Sequence, residues 1–546
     1  MTTFKGPPLE DEPGLGARTL PGLLDEVATR GGDREAVAFP AGGVRLSYRD
    51  LRAESRRVAK ALLAGGLSKG TRVGILIANR PDWIVAAFGI AMAGGVVVPL
   101  NTWFEPPELD YVLRHCDASL LLMQQRLLHR DYAEDLRGLG VDLDAPRPLR
   151  TTRFPFLRDV VTVGGGGDGW DRFLASGDAV ADDLLDAVSA QVKPLDDATI
   201  IYTSGSTAEP KGVLHHHQAA TIQSWRFAQH LRVDTATRTW SAFPLFWTAG
   251  FAMIMGGTLA GGGCLVLTER FEPGEALSVL ESERVTAAHA WPHQSAELED
   301  HASWLATDLS ALRQVEAFSS FGRHPKVDVD DVWSPRQAFG LTETFTIISS
   351  DPAETPRQGE EMHAGHLLAG NAVRIVDPES GALLGPGGVG EIAVKGPTLM
   401  KGYVKATEPP FDDDGYFRTG DAGWVDEGNC LHWSGRTSDL IKTGGANVSP
   451  VEIETALLHH PGLKVANAVG VPDPLLGEVV VVCAVSHDGV DVSEDDVRGF
   501  LRRRLASYKI PRHVVFVSDD DLSLTANAKV RTSALRALAA ERLAAP

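Results

Sequence analysis

An α/β protein with mostly parallel strands is the fold class that this 546-residue sequence predicts, and three observations predict it. From Leu46 onward, helix-spaced apolar residues alternate with short, continuous apolar runs, the pattern of strands covered on both faces. After about residue 373 the runs shorten and alternate between turns, which predicts a β-rich subdomain. Beyond Arg436 a compact α+β unit follows. Hydrophobic residues make up 43% of the chain and charged ones 23%, which supplies large cores and excludes global disorder.

The elements follow in order. The first sixteen residues, MTTFKGPPLEDEPGLG, lack an apolar core segment and read as a mobile polar arm, not a signal peptide. Ser47 can cap a helix that buries Leu51, Val58, Leu62 and Leu63, and Gly65-Gly66 ends it. Strands are expected at 73–78 and 96–100, with a helix over 83–92 between them. The glycine cluster in 163–170 lacks the Lys-Ser/Thr of a P-loop and carries no chemistry. No charge falls between Arg238 and Glu269, but Pro244 and six glycines break that stretch into a loop, a helix and a buried strand at 264–267, not a membrane span. Strands at 373–377, 390–395 and 423–433, the last with a turn at 426–429, form the β-rich part. A helix over 450–459, strands at 465–471 and 478–485, and a helix capped by Ser493 with Asp496 form the final unit.

Composition also excludes partners. Lys and Arg number 52 against 72 Asp and Glu, a net charge of −20, which argues against nucleic acid. Cys116, Cys264, Cys430 and Cys483 form no CxxC pair, so neither a disulfide framework nor a zinc site is expected, and a cytoplasmic location fits.

Chemistry concentrates in five segments. Residues 200–213, IIYTSGSTAEPKGV, run a strand into a loop of hydroxyls and glycine closed by Lys211. Small residues let backbone N–H groups approach a polyphosphate, hydroxyls donate to its oxygens, and the lysine adds a point charge; a Ser/Thr-rich surface turn is the alternative. The others are FGLTET at 339–344, YFRTGDAGW at 416–424, GRTSDLIKTGGANVSPVEIE at 435–454 and LTANAKVR at 524–531. His215-His-His217 reads as a helix cap rather than a metal site, and Arg502-Arg-Arg504 as the basic end of a helix.

In this order the five segments resemble the adenylate-forming superfamily of acyl-CoA synthetases, adenylation domains and luciferases, over nearly the whole chain. The resemblance implies a large N-terminal domain, 1–435, of two α/β subdomains plus a β-rich subdomain, then a small mobile α+β domain, 436–546, turning about a hinge near Ser438. It implies an acyl-CoA ligase that uses ATP, releasing AMP, with Mg²⁺ and coenzyme A. Thr203, Ser204, Gly205, Ser206, Thr207 and Lys211 would cradle phosphates, and Phe339 and Gly340 would contact the nucleotide. Thr342 would bind the α-phosphate and Glu343 the metal. Asp421 would accept the ribose hydroxyls, Arg436 would reach ribose or phosphate, and Lys442 and Asn447 would contact AMP. Gly444 and Gly445 would line the pantetheine tunnel, and Lys529 would be the mobile catalytic cation. Phe246, Trp247, Gly250, Phe251, Ser319 and Phe345 are expected around the acyl group, which predicts a hydrophobic carboxylic acid. The resemblance leaves a homodimer open and ranks a carrier protein behind CoA as acceptor.

Three departures surround the ATP motifs: Ala208 and Ala528 stand where glycine is usual, and residues 316–325, EAFSSFGRHP, replace a small-residue segment and a longer helix. They motivate an alternative in which adenylation is impaired and only a supplied acyl-AMP is converted to thioester. Carrier-protein loading and non-catalytic nucleotide binding also stay open.

Overall fold

Ser47 and Asp50 close a capping box at the start of the helix Tyr48–Ala64, each side chain accepting the other's backbone N–H. That helix buries Leu51, Val58 and Leu62, and Gly65 and Gly66 end it. The structure, a computed structural model, describes residues 2–544 apart from 129, 165–168, 204–209, 317–318, 330–337, 353–362, 438–439, 444–445, 474–475, 506–508 and 523–529. The chain divides into two compact units, Pro7–Arg357 with Gly396–Pro410, and Met1–Gly6 with Gln358–Lys395 and Phe411–Pro546.

The first unit contains two α/β sheets. In the larger, Asp197–Thr203, Val96–Pro99, Arg72–Leu76, Leu120–Gln124 and Asp159–Val163 lie side by side and parallel. Lys211–His216 and Gly402–Tyr403 add two antiparallel strands at one edge. The smaller sheet runs in the order Ala287–His289, Arg238–Ser241, Cys264–Val266, Glu35–Phe39 and Val44–Ser47, parallel except for its last pair. Helices Leu20–Gly31, Tyr48–Ala64, Pro81–Met92 and His217–His230 bury a common core that includes Leu24, Val58, Trp83, Trp225, Phe251 and Phe345. The charge-free stretch resolves into a strand, a π-helix at Ala249–Gly256, a short helix at Gly257–Gly261 and another strand. Among the described residues no helix is long and apolar enough to cross a membrane.

The second unit begins with an antiparallel sheet of Phe4–Lys5, Ala372–Val376, Gly390–Lys395, Phe417–Val425 and Leu431–Arg436. Its C-terminal part pairs Leu463–Asp473 with Gly477–Ser486 and sets His513–Phe516 parallel to the latter. Helices Pro450–Leu457 and Glu494–Arg502 flank this sheet, and Ser493 and Asp496 form the expected capping box. The fold is therefore α/β, with two α/β sheets, a β-rich part and a small α+β C-terminal part.

The opening segment is not the mobile arm that its polarity predicts. Glu12 accepts two 2.8 Å hydrogen bonds from the guanidinium of Arg226, whose side chain is fully buried. The Trp225 indole donates to the carbonyl of Ala17. In the other unit, Phe4 and Lys5 pair with Val373 and Ala372. A buried guanidinium needs a carboxylate, and this segment supplies it.

Candidate active site

The strand Asp197–Thr203 and the strand Lys211–His216 pair with Thr203 opposite Lys211, so the hydroxyl-rich segment is the connection between them. Ser204, Gly205, Ser206 and Thr207 lie outside the described residues, as does Ala208. Lys211 is exposed, and its ammonium sits 5.2 Å from the centre of the Tyr403 ring.

A second hairpin, Phe339–Leu341 with Thr346–Ser349, carries Thr342-Glu343-Thr344 as a single 3₁₀ turn at its tip. Gly340 is required there: a Cβ would lie 1.9 Å from the carbonyl oxygen of Thr346. Phe345 and Thr346 take φ values of 52° and 100°, a strained return for a β-branched residue.

Side chains from elsewhere hold the tip. The carbonyl of Thr342 accepts 2.8 Å from His215 Nε2, so that nitrogen carries the proton. Burial pushes the His215 imidazole down to about 3, which keeps it neutral. Gln223 Nε2 donates to the carbonyls of Thr344 and Ile347 at 3.2 and 2.7 Å. The backbone N–H of Met400 donates to the carbonyl of Glu343 at 2.7 Å.

The Glu343 carboxylate points to Tyr403, whose hydroxyl donates to Oε1 at 2.7 Å. Among the described residues no hydrogen bond or ion pair engages Oε2. One hydrogen-bonded oxygen and one open, hard oxygen suit a magnesium ion that takes its other ligands from phosphate and water. The first unit thus brings Thr203, Lys211, Phe339, Gly340, Thr342 and Glu343 into one strand-and-hairpin assembly. Tyr403 and Gln223 complete it. Neither belongs to a chemical motif, and their roles are visible only through the register of distant segments.

In the second unit Asp421 and Arg436 face each other across paired strands. Arg436 Nε lies 3.3 Å from Asp421 Oδ1 and its Nη1 donates to the carbonyl of Thr419. Trp433 Nε1 also donates to Asp421 Oδ1, at 3.2 Å. Asp421 is buried, so these donors keep its charge partnered. Lys442 and Asn447 sit opposite one another on the strands Ile441–Thr443 and Ala446–Val448. Ser438, Gly444, Gly445 and Lys529 lie outside the described residues.

The aromatic residues expected around the acyl group divide into two sets. Phe246 and Trp247 join Trp103 in a mutually edge-on trio with centroids 5.3–5.6 Å apart. Trp103 is 44% exposed, so the trio opens outward. Phe251 and Phe345 are fully buried in the core, edge-on to each other at 5.7 Å, with Trp83 against Phe251 and His215 against Phe345. At Gly250 a Cβ would lie 1.9 Å from the carbonyl oxygen of Pro244, so this glycine lets the helix pack on the loop before it. Ser319 caps the four-residue helix Ser320–Arg323, with its hydroxyl accepting from the N–H of Gly322.

The family described as AMP-binding enzyme matches residues 24–404, and its C-terminal domain matches 452–529. Feruloyl-CoA synthase of Amycolatopsis sp is 32% identical over 510 residues, 92% of this chain and 95% of that protein. Also 32% identical, over 533 residues covering 95% and 99%, is a CoA ligase of Mycobacterium tuberculosis (strain ATCC 25618 / H37Rv) named for a methyl-dioxo-octahydroindenyl propanoyl group. In fold the chain is similar to the anthranilate CoA ligase AuaEII solved with anthranoyl-AMP, with a TM-score of 0.80 and 24% identity over 98% of this chain and 99% of that one. The chain belongs to the AMP-binding enzyme family, among its AMP-forming acid–CoA ligases.

Proposed function

We propose that this enzyme activates a hydrophobic carboxylic acid as its acyl adenylate and passes the acyl group to coenzyme A. The reading rests above all on Lys211 and the Thr342-Glu343 turn meeting in one assembly around Tyr403. In the first step the acid's carboxylate attacks the α-phosphorus of ATP and pyrophosphate leaves. Lys211 and the hydroxyls of 203–207 bind the phosphates, Thr342 holds the α-phosphate, and Glu343 supplies the metal carboxylate. Magnesium, when bound, neutralises phosphate charge and stabilises departing pyrophosphate. Asp421 accepts the ribose hydroxyls, Arg436 reaches ribose or phosphate, and Lys529 orients carboxylate and α-phosphate for in-line attack.

In the second step the CoA thiolate attacks the acyl carbon and AMP leaves; the thiol proton passes to solvent. Residues 436–546 turn about Ser438 between the steps, withdrawing Lys529 and presenting Gly444 and Gly445 to the pantetheine arm, where a side chain would obstruct the approach. No protein nucleophile takes part. All four cysteines are free and buried, which supports a reducing cytoplasm as the setting.

The Trp103–Phe246–Trp247 wall supports a hydrophobic acid, and the feruloyl and bicyclic propanoyl groups named for the two relatives are of the same character. The four-residue helix Ser320–Arg323, together with the presence of alanine at positions 208 and 528 of the sequence, motivates the second reading, in which adenylation is impaired and thioester formation from acyl-AMP survives.

A panel of aromatic, alicyclic, straight-chain and amino acids, read as CoA thioester formed per unit time, tests the substrate class. Ring-bearing or long apolar acids are expected to lead, with Trp247→Ala lowering kcat/KM for them by about 10-fold. Preference for amino acids or short polar acids would overturn the assignment.

A further inference from the structure

Tyr403 stands between the two charged groups on which the phosphate chemistry of this site depends. Its hydroxyl donates to Glu343 Oε1 at 2.7 Å, since a carboxylate can only accept, and its ring face receives the Lys211 ammonium at 5.2 Å. Among the described residues no ion pair joins Lys211 to Glu343. The side chain is held by a rigid frame. Tyr403 and Gly402 pair with Val213 and Leu214, the N–H of Val404 donates to the carbonyl of Gly212, and the N–H of Lys401 donates to that of Leu214, both at 2.8 Å. One residue earlier in the same segment, the N–H of Met400 grips the carbonyl of Glu343. Residues 400–404 therefore tie the strand that follows the phosphate loop to the turn that carries the metal carboxylate.

We propose that Tyr403 is a positioning residue that fixes the Glu343 carboxylate for the metal and, by seating Lys211 on its ring, keeps the lysine from pairing with that carboxylate. The proposal rests on the reading of Glu343 as the metal carboxylate. A carboxylate on a turn can rotate about its side-chain torsions, and an adjacent lysine is its strongest competitor for a cation's place. The hydroxyl restrains the rotation by occupying one oxygen and leaving the other open for the metal. The ring removes the competition, because an ammonium attracted to a π face is held without neutralising the carboxylate. When a nucleotide arrives, Lys211 exchanges a weak contact for phosphate oxygens and no ion pair has to be broken.

The two roles separate by substitution. Tyr403→Phe keeps the ring and deletes the hydroxyl; Tyr403→Leu deletes both. Binding of manganese(II) to the full chain, with a non-hydrolysable α,β-methylene ATP present, is followed by electron paramagnetic resonance, and AMP affinity is measured without metal. Tyr403→Phe is expected to weaken manganese affinity by about 10-fold with AMP affinity within about twofold of the parent. Tyr403→Leu is expected to add a loss of triphosphate affinity measured without metal. Manganese affinity unchanged in Tyr403→Phe overturns the proposal, and so does an equal loss of AMP and manganese affinity, which is what a loosened fold produces. Glu343→Gln separates this inference from the reading beneath it. If that variant loses manganese while Tyr403→Phe does not, the role of Tyr403 fails alone; if Glu343→Gln binds manganese normally, the metal assignment fails and Tyr403 with it.

Discussion

Gly340 shows how much of this site is carried by single residues whose importance is geometric. It lies on the strand Phe339–Leu341, where the backbone of Thr346 passes within 1.9 Å of the position a Cβ would occupy. Gly340→Ala must displace the hairpin, and with it the carbonyl of Thr342 and the Glu343 carboxylate. We expect a fall of about 100-fold in kcat/KM for thioester formation, since a displacement near 1 Å costs that much where in-line geometry matters. Unchanged kinetics in that variant would show that the turn is not positioned by its hairpin. The sequence motif marks Gly340 but not why it is glycine, because the reason is a carbonyl six residues on in a folded-back strand. Tyr403 is less visible still: a tyrosine after a glycine near the end of a turn-rich stretch has no local signature, and only the pairing of Gly402–Tyr403 with Lys211–His216 brings it to Glu343.

At the scale of elements, what was legible is what is local. The cap at Ser47 and the capping box at Ser493 depend on residues no more than three positions apart and both form as read, with Asp50 completing a box at Ser47 as well. The segment at Glu12 is the opposite case, since its partner Arg226 lies 214 residues away on a helix, and acidic residues between prolines look solvated until that guanidinium is seen to be buried. The junction of the strand Lys211–His216 with the helix His217–His230 combines both kinds of information. His216 caps the helix as its sequence position suggests, with Nδ1 accepting from the N–H of Ala219 at 3.0 Å, and His217 Nδ1 accepts from the N–H of Leu20. Burial lowers the imidazoles to about 4 at His216 and His217, and to about 3 at His215, from an ordinary 6.5. The unfolded chain therefore binds more protons than the folded one between about pH 6.5 and 4. Stability is complete above pH 6.5 and is lost as pH falls through that window, with a slope of about 1.4 kcal/mol per pH unit for each imidazole that stays neutral. Urea unfolding at stepped pH should show this slope already between pH 6.5 and 5, above the range where most carboxylates titrate. A flat profile there would mean that the three histidines are not buried in the folded chain.

Across the whole molecule, the net charge of −20 and the polyanionic substrates would conflict if binding were a matter of bulk charge. On the proposed reading they do not, because Lys211, Arg436 and Lys529 are single local cations, each assigned to a specific oxygen of the substrates. Mostly parallel strands and a β-rich part were readable from period and turn placement, whereas the division of the strands into two α/β sheets came only from the family resemblance, and their order within each sheet depends on long-range pairing that no window of sequence contains. We propose that this one chain carries out adenylation and thioester formation with a shared set of residues. Exchange of radiolabelled pyrophosphate into ATP, in the absence of CoA and with an acid that the full reaction turns over, tests it most directly. Acid-dependent exchange is expected, and it should disappear in Lys529→Ala while that variant still forms thioester from synthetic acyl-AMP. Thioester from acyl-AMP with no exchange in the unaltered enzyme would contradict it.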